Sequence, residues 1–197
     1  GEGKTLCGMK LVMSYAKLGR KTILVDFDMR KAEIYFKEQE GSQEGLSSFL
    51  INKTNLEDII IKSPNDKLDY ILSGILPPNP VELIALEETE KLITKLKDDY
   101  DIIVLDTTPL AQVTDAYLLV DHAGLKIIVA RQNFTLKKVF SLIMKDLQLK
   151  KVGNVCIVLN DNRLYSDQYG FGYGYNNKGK GKKRRRRMGE YYSSKSK

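Results

Sequence analysis

The sequence predicts an α/β protein, a parallel sheet with helices on both faces, followed by a flexible Tyr/Gly/basic tail. Three observations carry this. Short β-branched runs alternate with helical stretches, the pattern of strands joined by helical crossovers. The later runs are apolar on successive residues, as in strands covered on both faces. Near Asn160 the composition changes abruptly, from apolar runs to Gly, Tyr, Asn, Lys and Arg. The domains are therefore 1–162, folded, and 163–197, a disordered tail.

The elements follow in order. Gly1-Glu-Gly-Lys-Thr5 runs straight into a helical pattern over 4–18, and Thr22-Ile-Leu-Val-Asp26 reads as the next strand. Further strands are expected at Asp69-Tyr-Ile-Leu72, Asp101 to Asp106, Leu125 to Ala130 and Val155 to Leu159. Helical stretches are expected over 44–51, 80–98, 114–121 and 135–149. In such sheets ligands sit beyond the carboxyl ends of the strands, so those ends are where function is sought.

Charge separates the two parts. Residues 163–197 carry eleven Lys and Arg against Asp167 and Glu190, a net of +9; the whole chain is +7, so residues 1–162 come to about −2. The basic character belongs to the tail. Cys7 and Cys156 fall in apolar patterns and read as small core residues, which suits a reducing, cytosolic setting. A single histidine, His122, excludes a multi-histidine metal site and reads as a loop or helix-end residue. No apolar run approaches the roughly 20 residues of a membrane helix, and no signal peptide is expected.

The opening residues match the end of G-x-x-x-x-G-K-[ST], the phosphate-binding loop. Its first glycine, five residues before Gly3, and the strand before it fall outside the sequence. Glycines let backbone N–H groups close round phosphates at a helix N-terminus. Lys4 would reach the β and γ phosphates, and the Thr5 hydroxyl would ligate magnesium. Asp26 and Asp28, in Val25-Asp-Phe-Asp-Met-Arg30, end one strand, and Asp106, in Val104-Leu-Asp-Thr-Thr-Pro109, ends another. A lone strand-ending Asp is usually a turn former. Acids beside a triphosphate repel it unless a divalent ion or a proton transfer involves them.

These residues together resemble the bacterial tyrosine kinases of capsule and exopolysaccharide assembly, P-loop ATPases with Walker A, A′ and B motifs. Val25-Asp-Phe-Asp-Met-Arg-Lys31 is similar to their A′ motif and Leu105-Asp-Thr-Thr-Pro109 to their Walker B. Gly74-Ile-Leu-Pro-Pro-Asn-Pro-Val-Glu-Leu83 resembles an element particular to them, and the C-terminal tyrosine cluster is a further hallmark. Ala32 stands where the family often has Pro, and the run Lys182 to Arg187 departs from the pattern. The region that usually carries the family's oligomer-forming helix lies outside the sequence.

The resemblance implies ATP and Mg2+ as cofactors and these roles. Gly1, Gly3, Lys4 and Thr5 hold phosphates; Thr5, Asp28 and Asp106 hold magnesium. Lys4, Asp26 and Asp28 are catalytic. Asp26 is favoured as the base and Asp28 as the metal-side group, a pair the sequence does not separate. Arg30 either neutralises charge on the transferred group or makes a structural ion pair. Asn160 either reads the adenine or is a plain turn residue.

The tail reads as substrate. Of eleven tyrosines, Tyr165, Tyr169, Tyr173, Tyr175, Tyr191 and Tyr192 fall in the tail, and the other five read as packing residues. Each phosphate adds about −1.5 to −2 charges, so six would about cancel the tail's charge. The family implies transfer to a neighbour's tail within a ring of subunits and activation by a membrane-spanning polysaccharide co-polymerase, fused or separate. A phosphotyrosine phosphatase is a further implied partner, and the expected location is the cytoplasmic face of the bacterial inner membrane.

Two other classes compete. A partition or cell-division positioning ATPase of the ParA/MinD type shares the three motifs but gives no role to the tyrosine tail or the Pro-Pro-Asn-Pro element. A nucleic-acid or acidic-membrane binding module would use the basic tail and leave the ATP-site residues unexplained, so nucleic acid is not an expected partner.

Overall fold

The computed structural model describes residues 1–31, 44–110 and 115–162. Ala32, Tyr35, the tail with its six tyrosines and the run Lys182 to Arg187 lie outside the described residues.

The order is α1 (Lys4–Lys17), β1 (Thr22–Asp26), α2 (Leu46–Leu50), α3 (Leu56–Ile59), β2 (Ile60–Lys62), β3 (Leu68–Ile71), α4 (Pro80–Ile84) and α5 (Glu87–Asp99). Then come β4 (Ile102–Asp106), α6 (Asp115–Leu118), a 3-10 turn at Val120–His122, β5 (Lys126–Arg131), α7 (Lys137–Leu149) and β6 (Val155–Asn160). One sheet runs β2-β3-β1-β4, with β1 parallel to both neighbours. β5 and β6 form a second, parallel pair.

Every residue of β1 is buried, because alternate side chains enter different cores. Ile23 and Val25 pack with Leu46, Leu83, Leu92 and Leu96 of α2, α4 and α5. Leu24 faces Val12 and Ala16 of α1, with Leu68 and Tyr70 of β3. Helices therefore cover both faces, as predicted. Burial of such a side chain stabilises by about 1.5–3 kcal/mol.

Some local expectations change. The single helix over 80–98 is two, broken where Leu86 is extended at φ −68°, ψ 151°. Glu87, Glu88 and Glu90 then form the first turn of α5, where the positive end of the helix dipole favours acids. The stretch 114–121 is the short α6 followed by a 3-10 turn, which holds His122. β2, unforeseen, pairs antiparallel on the edge of the sheet. Cys7 and Cys156 are free thiols and half-buried rather than core residues. Tyr70 and Tyr100 are packed, whereas Tyr15 is 37% exposed.

β4 and β5 share no ladder. Leu105, Ile128, Val129, Phe140, Ile143 and Leu147 line an apolar cavity of about 180 Å³ there, with Lys4, Thr107 and Thr108 also on its wall. No described helix is long and apolar enough to cross a membrane.

Candidate active site

The sheet register sets the site. Parallel pairing of β1 with β4 puts Asp26 opposite Asp106, and neighbouring strands lie about 4.8 Å apart. The Phe27 amide donates to the Asp106 carbonyl at 2.8 Å, so the two strand ends leave the sheet together. The A′ and B acids are thus neighbours by backbone geometry alone.

The phosphate loop meets them from α1. Gly3 adopts φ 92°, ψ 32°, a left-handed conformation that favours glycine. A Cβ there would lie 2.4 Å from Nδ2 of Asn160. No side chain caps α1 and its first turn carries no acid, so its N-terminus keeps the positive character that suits an anion. Lys4 Nζ lies 3.7 Å from the Glu2 carboxylate, and Thr5 is in the first turn.

Asp26 is 2% exposed. Its Oδ1 accepts the Asp28 amide at 2.9 Å, and Oδ2 is buried without a hydrogen-bond partner. Burial pushes its pKa up to about 7; the Asp28 amide pulls down, and the charges of Asp106 and Asp28 push up again. Asp28 is half-buried, and its Oδ1 accepts the amides of Arg30 at 3.2 Å and Lys31 at 3.1 Å. Asp106 and Thr108 are buried, and Thr108 Oγ1 also lacks a partner.

Hard oxygen donors near orphaned buried oxygens suit magnesium, which takes one or two carboxylates and fills its shell with water and phosphate. Asp28 and Asp106 both bear electrostatically on Asp26 and Thr5 lies in the first turn of α1, oxygen donors of the kind magnesium takes. Among the described residues no three His, Cys, Asp or Glu converge into a protein-only metal site.

The structure commits two further predicted residues to protein partners. Asn160 Nδ2 donates to the Glu2 carbonyl at 2.9 Å, across 158 residues of chain. Its amide nitrogen therefore braces the phosphate loop, while its Oδ1 accepts the Asp161 amide at 2.9 Å. Arg30 forks onto Asp115, with Nε at 2.7 Å from Oδ2 and Nη2 at 3.1 Å from Oδ1. Arg30 is thus paired with a buried carboxylate.

Sequence reasoning missed Asp115 and Arg131. Arg131 ends β5, paired in register with Asn160. It donates to the Gly1 carbonyl at 3.4 Å and to Asp161 at 3.2 Å. The rule that found Asp26 and Asp106, to look at strand carboxyl ends, points equally to Arg131. Asp115, opening a helical stretch, carries only the signal of a helix start.

The sequence profile of the family described as AAA domain matches residues 1–157. CapB of Staphylococcus aureus is 38% identical over 114 residues, which are 58% of this chain and 50% of that protein. The tyrosine-protein kinase YwqD of Bacillus subtilis is 30% identical over 172 residues, 87% of this chain and 73% of YwqD. The chain thus spans half of one relative and about three quarters of the other. Among solved structures, the kinase domain of the Escherichia coli tyrosine kinase ETK is 30% identical, with a TM-score of 0.77 over 89% of this chain and 69% of that one. The septum site-determining protein MinD of Pyrococcus horikoshii, with Mg-ADP, is 21% identical with a TM-score of 0.61 over 80% of this chain and 63% of that one, and shows the fold alone.

Proposed function

The chain belongs to the AAA domain family, among the bacterial tyrosine kinases, and on that premise we propose that it transfers the γ-phosphate of ATP to tyrosines of its own tail. The observation that carries the reading is the juxtaposition of Asp26 with Asp106, with a carboxyl held near pH 7 by burial. Free tyrosine ionises near 10, so its hydroxyl needs a positioned base. Asp26 fills that role, a buried carboxyl at the end of β1 whose pKa burial raises to about 7.

Lys4 binds the β and γ phosphates, and the amides following Gly1 and Gly3 cradle them. Thr5, Asp28 and Asp106 hold magnesium, which supplies charge neutralisation at the transferring phosphoryl group. Asn160 and Arg131 fix the loop by its carbonyls.

The acceptors are Tyr165, Tyr169, Tyr173, Tyr175, Tyr191 and Tyr192, served in trans within a ring of subunits. The regulated process is capsule or exopolysaccharide export, at the cytoplasmic face of the inner membrane. A membrane-spanning co-polymerase, fused or separate, activates the kinase, and a phosphotyrosine phosphatase reverses it. Two body tyrosines are poor acceptors: the Tyr100 hydroxyl donates to Asp69 at 2.6 Å, and that of Tyr117 donates to Asp146.

The test uses the protein with its phosphate loop completed upstream and the activating segment supplied. After incubation with ATP and magnesium, phosphate is mapped by mass spectrometry, with Lys4→Met as the control. Tail phosphotyrosine that disappears in the control is the expected result. ATP hydrolysis without phosphotyrosine would transfer the chain to the positioning ATPases.

A further inference from the structure

Arg30 follows β1 and Asp115 opens α6, and they meet in a geometry that their separation in sequence gives no reason to expect. Asp115 is 2% exposed, and both its oxygens are taken by one guanidinium. A buried carboxylate with one bidentate partner is fixed in place, because losing that partner would strand a charge away from water. Arg30 lies two residues after Asp28, whose Oδ1 accepts the Arg30 amide. Asp115 opens α6, nine residues after Asp106. Glu82 of α4, within the Pro-Pro-Asn-Pro element, adds negative charge about the same guanidinium, as does Asp28. α4 itself packs against α6. One side chain therefore links the A′ loop to the start of α6, with α4 packed beside α6.

We infer that Asp115 is a positioning residue for phosphoryl transfer, acting through Arg30 to hold the Asp28 loop against the Asp106 strand end. The inference rests on the kinase reading above. It separates Arg30 from the groups that bind phosphate: with its fork engaged, it contributes placement rather than affinity. Reacting groups displaced by about 1 Å lose on the order of 100-fold in rate, which sets the size of effect to expect.

The test is a double-mutant cycle in the active protein, with Arg30→Gln, Asp115→Asn and the pair combined. It is read by kcat for tail phosphorylation, by affinity for a fluorescent ATP analogue and by thermal midpoint. Each single change is expected to lower kcat about 10- to 100-fold while ATP affinity stays within about threefold. The double change should be no worse than the worse single one, because both remove the same link. Arg30→Lys should restore only part, since an ammonium cannot form the fork. Should Asp115→Asn fail to fold, Asp115→Glu keeps the charge on a longer arm and is expected to lower kcat with unchanged affinity. Tenfold weaker ATP binding in Arg30→Gln, with Asp115→Asn unaffected, overturns the inference, because Arg30 then acts on the phosphates directly. Independent, multiplying losses overturn it too. If the unmodified protein hydrolyses ATP without labelling tyrosine, the kinase reading fails, and the same cycle read on hydrolysis still decides the pair.

Discussion

A carboxyl with almost no contact with water, beside two other acids, resists ionising, and Asp26 shows what that does to folding as well as to chemistry. Its pKa is raised from 3.8 to about 7, so between those values the folded protein holds a proton that the unfolded chain has released. The folded state therefore binds more protons in that window, and stability falls as pH rises through it. The span amounts to a ceiling on the order of 4 kcal/mol. In nucleotide-free protein the thermal midpoint should decline between about pH 4 and 7 and level off above, and Asp26→Asn should flatten that decline. A variant with the same slope as the parent would assign the effect to another group. At this scale the acids were legible as strand-ending carboxylates, whereas their burial was not, because it depends on which strands lie next to β1.

Among the elements, the strands most readable in sequence were those with unbroken apolar runs, since burial on both faces leaves no polar gaps to misread. α5 shows why boundaries fare worse. Thr89, Leu92, Ile93 and Leu96 give it a clear buried stripe, but the apolar pattern continues back through Leu83 and Ile84 of α4 and hides the break at Leu86. β2 was missed because Ile60 and Ile61 follow the single turn of α3 without a gap. Leu92 is fully buried in the larger core, so Leu92→Ala should cost about 2–5 kcal/mol, measured by urea unfolding with an unchanged m-value. A loss under about 1 kcal/mol would mean that α5 packs loosely on the sheet. The Pro-Pro-Asn-Pro element is more tightly built than its sequence suggests. Gly74 adopts φ 75°, and a Cβ on Gly45 would sit 2.6 Å from the Gly74 backbone. Both glycines serve close backbone approach.

For the molecule as a whole, the sequence indicated a parallel sheet between two helical layers and an acidic body joined to a basic tail. It did not indicate that the parallel pairings divide into a four-stranded sheet and a separate β5–β6 pair. Strand order is a long-range property, and no local pattern near β4 or β5 encodes which edges meet. Nor did it show that the last strand returns to the first residues, where Asn160 holds the Glu2 carbonyl.

Asn160 thus fixes, beside the phosphate loop, the point from which the residues after it start. An extended chain spans at most about 3.3–3.6 Å per residue, so Tyr165, five residues past Asn160, has a radius of roughly 18 Å, while Tyr191 has over 100 Å. If the tail tyrosines are the acceptors, as proposed, their order along the chain reports the spacing between active sites. When Lys4→Met subunits with intact tails are mixed with active subunits whose six tail tyrosines are Phe, Tyr191 and Tyr192 should be labelled freely. Tyr165 should be labelled only where a neighbour's site comes within its short radius, and equal labelling along the tail would place adjacent sites that close.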